Sequence, residues 1–272
     1  MVSAESRRQR IVTAAERKDL VPAMQALGAS PWPEFLGHDE VVNRHWHLLY
    51  DAFADYQFAL WDRADEERDG VLAIGNCVPI TWDGNPARLP SGGIDAVLED
   101  AARIAATGRG QGAVSALMIV VAPSHLGKGL SRTCIRAMSA IAAAHGLARL
   151  VAPVRPTEKH RYPVIPLEAY SRWRRSDGSL RDPWLRVHEQ VGGVMAGVAT
   201  AAMTVRGTVD EWERWTGLPM PETGPYVVPG GLVPVEIDRV RDVGLYVEPG
   251  VWMIHAAQAP AEDGGIDADN VA

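Results

Sequence analysis

The chain has few of the features that mark secreted, membrane-spanning or nucleic-acid-binding proteins. Its 272 residues include only two cysteines, Cys77 and Cys134, which form neither a C-x-x-C motif nor a zinc-ligand pattern. No apolar run approaches the ~20 residues that cross a bilayer, and no signal-peptide core follows the arginines near the N-terminus. The net charge of −7 argues against a general nucleic-acid binder. We therefore predict a cytoplasmic protein with reduced, structural thiols and no metal, membrane or nucleic-acid partner.

What the chain does contain is enough apolar sequence for a substantial core. Apolar residues make up 47% of the chain, and nine tryptophans favour pockets or extensive packing over disorder. The length allows one elaborated domain or two small ones, and no internal repeat divides it.

The most informative stretch lies between residues 113 and 145. It begins with the uncharged apolar run Leu117–Val121, which predicts a buried strand. A turn containing Gly127 and Gly129 follows, and helical spacing of apolar residues continues from Leu130 to His145. The pattern predicts a strand, a glycine turn and a helix.

This arrangement suits phosphate binding. The first N–H groups of a helix have no intrahelical partner, and the helix dipole favours an anion beside them. Gly127 and Gly129 let the main chain approach a ligand closely, and Lys128 either adds a positive charge or points to solvent. A P-loop is excluded because Gly129 stands where Ser or Thr would hold a metal. A Rossmann dinucleotide fingerprint fits poorly because a full G-x-G-x-x-G is missing. An ordinary strand-to-helix turn is the alternative.

The run Ser124–Gly129 resembles the pyrophosphate loop Q/R-x-x-G-x-G/A of the GNAT acyltransferases. Ser124 replaces the family's Gln or Arg, and the next strand, at 148–154, follows at the family's usual distance. The resemblance covers roughly residues 113–206. It implies that two strands splay apart to admit the pantetheine arm of an acyl-coenzyme A. The implied cofactor-binding residues are Ile119, Val121, Leu126, Gly127, Lys128, Gly129 and Leu130, with the oxyanion held by a backbone N–H near Val121.

The remaining elements fit the order of that fold. We predict an α/β (α+β) protein with a mixed, mostly antiparallel sheet flanked by helices, and a single elaborated domain over 31–256. Its core spans 41–206 and its β-rich C-terminal extension spans 207–256. An N-terminal helical arm at 1–30, an inserted helix near 92–107 and a disordered tail at 257–272 complete the expected organisation.

Two residues are candidates for the proton donor to the leaving thiolate. In the family, a tyrosine four residues before a Gly-Phe pair commonly has this role, and the matching run His188–Gly193 puts His188 in its place. Histidine exchanges protons near neutral pH. Counting seven residues from Arg155, which replaces an Asn of many relatives, gives Tyr162 as the alternative. No carboxylate is singled out as the base, and a water chain would also serve.

A basic segment and two further histidines have less specific interpretations. Lys159 and the nearby arginines make a basic surface that either holds a nucleotide phosphate or an acidic acceptor, or is simply solvated. His125 either contacts the pyrophosphate or faces solvent. His255 closes an apolar strand and is expected to be structural, with a position in the pocket as the alternative.

These features together predict transfer of an acetyl or other short acyl group from acetyl-CoA or another acyl-CoA to an amine of a small molecule. Two alternatives stay open. The replacements at Ser124, Arg155 and His188 would suit a non-catalytic module that senses acyl-CoA. A GNAT-like decarboxylase or transferase acting on an acyl carrier protein would dock that carrier on the basic segment. A homo-oligomer is also compatible with the sequence.

Overall fold

A computed structural model describes residues 9–29, 32–64 and 67–258, and within them the chain forms one nine-stranded sheet. The strand order is β1-β2-β3-β4-β5-β9-β8-β7, and β6 pairs with β9. The strands are β1 (Gln9–Thr13), β2 (Phe58–Asp62), β3 (Val71–Ile80), β4 (Ala113–Val121), β5 (Arg149–Val154), β6 (Val194–Gly207), β7 (Gly224–Tyr226), β8 (Val235–Asp238) and β9 (Val243–Ala256). All pairs are antiparallel except β4 with β5. The predicted mixed, mostly antiparallel sheet is confirmed.

Seven α-helices flank this sheet in the described part of the chain. They are α1 (Val21–Ala29), α2 (Glu40–His45), α3 (Gly93–Thr107), α4 (Leu130–Ala144), α5 (Leu167–Tyr170), α6 (Pro183–Gln190) and α7 (Val209–Thr216). The predicted strand–turn–helix over β4 and α4 and the inserted helix α3 are confirmed. Asp39 caps α2, Asp182 caps α6, and Thr208 with Glu211 forms a capping box at α7.

Glycines in two elements show that α1 and α4 lie on opposite faces of the sheet. A Cβ at Gly28 of α1 would lie 3.2 Å from Ile74, whereas one at the next β3 residue, Gly75, would lie 2.9 Å from Met138 of α4. Successive strand residues point to opposite faces. The central strand β3 is buried throughout and contributes to a separate apolar cluster on each face of the sheet.

The N-terminal segment differs from the peripheral helical arm expected over residues 1–30. Residues 9–13 form β1, which pairs with β2, and α1 buries Met24 and Leu27 against β3 and β4. The charged residue of this edge strand, Arg10, is exposed. Residues 1–8 and 259–272, and with them nearly all of the expected tail, lie outside the described residues.

Candidate active site

The sheet opens between its only parallel pair of strands. Within the described residues, β4 and β5 are in register at just two positions, Val114 with Leu150 and Ser115 with Val151. Beyond them, β4 stays paired with β3 and β5 with β9. The second half of β4 is therefore partly exposed although it lies mid-sheet. This is the apolar cleft that the splayed-strand expectation requires, and Ile119 and Val121 lie on its β4 side.

A β-bulge lies at the start of the open half of β4. Asn76 is opposite Met118 and Cys77 is opposite Ala116, so Leu117 has no partner residue on β3. The extra residue of a bulge is left out of the ladder. Val121, near which the oxyanion donor was expected, is in register with Ala73, and because Ala122 donates to the carbonyl of Leu72, the N–H of Val121 points away from β3. The backbones of Leu117 and Val121 are therefore both candidates for a group that faces a ligand.

The loop after β4 has the conformation expected of an anion-binding turn. Gly127 and Gly129 have φ values of 78° and 75°, in the left-handed region that favours glycine. A Cβ at either position would meet no atom within 4 Å, so the space in front of the loop is open. Gly129 is the N-cap of α4, and neither a capping side chain nor an acidic residue occupies the helix start. Leu126 and Lys128 lie on the exposed side of this loop.

His188 lies buried against a second histidine. Its Nδ1 is 2.9 Å from Nε2 of His255, and the two side chains are only 2% and 3% exposed. The outer nitrogens, Nε2 of His188 and Nδ1 of His255, have no hydrogen-bond partner among the described residues. An unsatisfied buried polar atom costs about 1–3 kcal/mol. The pair therefore leaves two buried nitrogens unsatisfied at a cost in stability.

Burial keeps both imidazoles neutral at physiological pH. Burial, and secondarily His255, lowers the pKa of His188 to about 3. Burial also lowers the pKa of His255 to about 4, although the backbone of Val191 offsets part of that decrease. At pH 7 His188 is thus a neutral ring that can donate one hydrogen bond, not an imidazolium.

Tyr162, the alternative donor, belongs to an aromatic cluster in the segment between β5 and α6, residues 155–182. Its ring centroid is 5.0 Å from that of Trp173 and 5.8 Å from that of Tyr170. Its backbone carbonyl accepts a 2.8 Å hydrogen bond from Lys159. His188 instead packs on Trp184, with centroids 4.6 Å apart. The two candidates thus lie in different side-chain clusters.

Lys159 corrects the expectation of a continuous basic surface over residues 159–175. Its side chain is fully buried, and its Nζ donates to the carbonyls of Tyr162 and Leu232 at 2.8 and 2.6 Å. Burial lowers the pKa of this ammonium. Arg174 is paired with Glu189 at 2.7 Å. Arg161, Arg172 and Arg175 remain exposed.

Buried acidic and basic side chains hold the segment 155–182 in place. The guanidinium of Arg155 donates to Glu248 at 2.7 and 3.0 Å, and Tyr246 donates to the same carboxylate. Asp182 is a second anchor, because it caps α6 and accepts hydrogen bonds from the backbone of Glu158 and the hydroxyl of Tyr170. These contacts position α6 and therefore His188.

Sequence reasoning missed two further buried polar groups on the other side of the sheet. Asp39 accepts from the backbone of Val42 and Thr204, and burial, followed by Asp39, raises the pKa of Asp95 to about 8. Asn76, opposite the bulged part of β4, donates to Gln57, while its own Oδ1 is buried without a partner. Asn76 is a single polar residue in an apolar strand, and Asp39 and Asp95 belong to two different helices, so local sequence gave no signal for these contacts.

Comparison with known proteins identifies the family. The chain is 35% identical over 269 residues to the arginine N-acetyltransferase avaD of Aspergillus versicolor, covering 89% of this chain and 92% of that protein. It belongs to the GNAT superfamily of N-acyltransferases. The similarity to this relative confirms the predicted reaction class of this GNAT enzyme, which is transfer of an acyl group from acyl-CoA to an amine. No protein-family model matches the chain.

Two solved structures share the fold of this GNAT enzyme. The loading GNATL domain of CurA from Lyngbya majuscula has a TM-score of 0.59 at 18% identity, covering 92% of this chain and 98% of that one. A GphF GNAT-like decarboxylase in complex with isobutyryl-CoA has a TM-score of 0.55 at 19% identity, covering 92% and 100%. At such identities the likeness concerns the fold alone.

Within the described residues, no helix has both the length and the apolar character to cross a membrane.

Proposed function

We propose that this GNAT enzyme acetylates the α-amine of arginine, or of a closely related basic amino acid, with acetyl-CoA as donor. The proposal is supported by the 35% identity to an arginine N-acetyltransferase across nearly the whole of both chains. Two observations support coenzyme binding. The strands β4 and β5 separate after two residues, and the following helix α4 begins without a capping side chain after two glycines in the left-handed region. The α-amine is the nucleophile because the guanidinium keeps its proton at physiological pH.

In the proposed reaction, the neutral amine attacks the thioester carbonyl. The new C–N bond forms, the C–S bond breaks, and the proton lost by nitrogen is taken up by sulfur to give free coenzyme A. The diphosphate is held by the loop Leu126–Leu130 and the pantetheine lies along Ile119 and Val121. The backbone N–H of Leu117, which has no register partner on β3, is our preferred oxyanion donor, with that of Val121 as the alternative. Holding the two reactants side by side contributes most of the acceleration.

His188 is our preferred donor to the departing sulfur, with Tyr162 as the alternative. His188 lies on α6, is nearly fully buried and has an unpartnered Nε2. Because its pKa is lowered to about 3, it acts as a neutral N–H donor that stabilises the thiolate. Replacement by phenylalanine separates the candidates: His188→Phe should lower kcat strongly and Tyr162→Phe should not.

The function can be tested with the purified protein, acetyl-CoA and a set of amines. Thiol release and product mass would be followed with arginine, lysine, ornithine and Nα-acetylarginine. We expect arginine to be the best substrate, one added acetyl group per molecule, and no turnover of the Nα-blocked compound. Equal turnover of Nα-acetylarginine would contradict α-amine acetylation, and absence of turnover with every amine would contradict the proposed function.

A further inference from the structure

The buried histidine pair contains more than the proposed donor. We propose that His255 is a positioning residue for His188: the 2.9 Å contact between their rings fixes which nitrogen of His188 carries the proton and leaves Nε2 available to the leaving sulfur. This inference rests on the proposed function, because it assigns a role to the partner of the proposed donor.

A single hydrogen bond between two neutral imidazoles has two arrangements. If Nε2 of His255 carries a proton, it donates to Nδ1 of His188, and the outer Nε2 of His188 must then be an N–H. If Nδ1 of His188 carries the proton, the outer Nε2 is a lone pair. Only the first arrangement offers a donor to a thiolate. His255 therefore decides whether His188 can assist the departure of sulfur.

Packing fixes where the two rings lie but does not choose between the arrangements. Trp184 covers one side of His188 in an edge-to-face contact. A Cβ at Gly193 would approach Cε1 and Nε2 of His255 at 2.5 and 2.9 Å, so this glycine leaves the room that the second ring needs. Apolar contacts of this kind hold both tautomers equally well. The contact between the two nitrogens forms in both arrangements, so the tautomer of His188 follows from which nitrogen of His255 carries its proton.

Burial makes this choice persistent. Both side chains are at least nine-tenths buried, and neither outer nitrogen has a partner in the described part of the chain. Solvent therefore cannot exchange the roles of the two nitrogens of His188. After a turnover His188 is unchanged, because sulfur takes up the proton that the attacking nitrogen releases.

The test compares two replacements of His255. His255→Phe keeps a ring of similar volume and removes the hydrogen bond, whereas His255→Gln keeps an amide near the position of Nε2. His160→Gln is the matched control, because His160 is an exposed histidine that contacts only a local carbonyl. We expect His255→Phe to lower kcat about 10- to 100-fold, as removal of an orienting partner commonly does. KM for both substrates should stay within about twofold, and His255→Gln should recover part of kcat.

Nitrogen-15 NMR of the imidazoles gives a readout that a merely structural role would not move. The signals of His188 are assigned by their loss in His188→Gln. In the unaltered protein we expect one neutral tautomer of His188, protonated at Nε2, and in His255→Phe a mixture of both. The proposal is overturned if His188 is protonated at Nδ1, if the tautomer is unchanged in His255→Phe, or if kcat is unchanged while the protein stays folded.

The same measurements separate this inference from the proposed function. NMR reports the tautomer of His188 in the absence of any substrate. If the protein acetylates no amine while His255 still fixes the tautomer, the function fails and the positioning survives. If arginine is acetylated and the tautomer does not depend on His255, the positioning role fails and the function survives.

Discussion

Replacing Gly129 by alanine separates the conformational requirement of the loop from its role in coenzyme binding. Gly129 has a φ of 75°, and a Cβ there would meet no atom within 4 Å. The cost to the unliganded protein is therefore backbone strain alone, about 1–2 kcal/mol. For a protein of this size we expect the melting temperature to fall by roughly 2–8 °C.

The loss in coenzyme affinity should be larger than the loss in stability accounts for. If strain turns one main-chain amide away from the diphosphate, a hydrogen bond to a charged group is lost. Such a bond contributes about 1.5–3 kcal/mol, which corresponds to roughly a 10- to 150-fold increase in Kd. Isothermal titration with coenzyme A measures this change directly, and thermal denaturation of the same sample measures the strain.

Gly146 offers a matched control at the other end of α4. Its φ is 72°, and a Cβ there would also meet no atom within 4 Å. Gly146→Ala should lower the melting temperature as Gly129→Ala does, and coenzyme A should bind as tightly as before. Equal affinities in the two variants would refute the assignment of this loop to the diphosphate.

Two titratable side chains, Asp95 and Lys159, lead to further predictions. Because the pKa of Asp95 is raised to about 8, its contribution is fully present below its unfolded pKa near ~4 and is lost as pH rises through 8. Asp95→Asn, which mimics the protonated acid beside Asp39, should flatten the decline of melting temperature between pH 5 and 9, and an equally steep decline would contradict this. Lys159→Met would leave the carbonyls of Tyr162 and Leu232 without their buried donor and should cost about 2–5 kcal/mol in urea denaturation, whereas a change below about 0.5 kcal/mol would refute the structural role.

Local patterns were sufficient to predict the parts of the site that a single stretch of chain forms. The apolar run, the two glycines and the amphipathic helix over 113–145 each depend on neighbouring residues, and the structure has β4, the turn and α4 where they were expected. The opening between β4 and β5 came only from the family resemblance. Strand register is set by pairing with β3 and β9, which lie far away in sequence.

The errors occurred where a distant partner decides the environment of a residue. Lys159 was predicted to belong to a basic surface. It is buried instead, because the carbonyl of Leu232, 73 residues away in sequence, accepts a hydrogen bond from its ammonium group. The contact of His255 with His188, which spans 67 residues, likewise has no signal in the neighbouring sequence.

The replacement of the family's tyrosine by His188 has a structural requirement that the rest of the chain meets. A tyrosine presents one hydroxyl, whereas an imidazole has two nitrogens and needs a partner to determine which of them is the donor. That partner comes from β9, which lies beside β5 and is tied to its end by Arg155 and Glu248. Asp182 then fixes the start of α6 at a distance that brings His188 within 2.9 Å of His255. The departures from the family motif at 155 and 188 are therefore parts of one arrangement, in which the C-terminal strand would support the chemistry that we propose for α6.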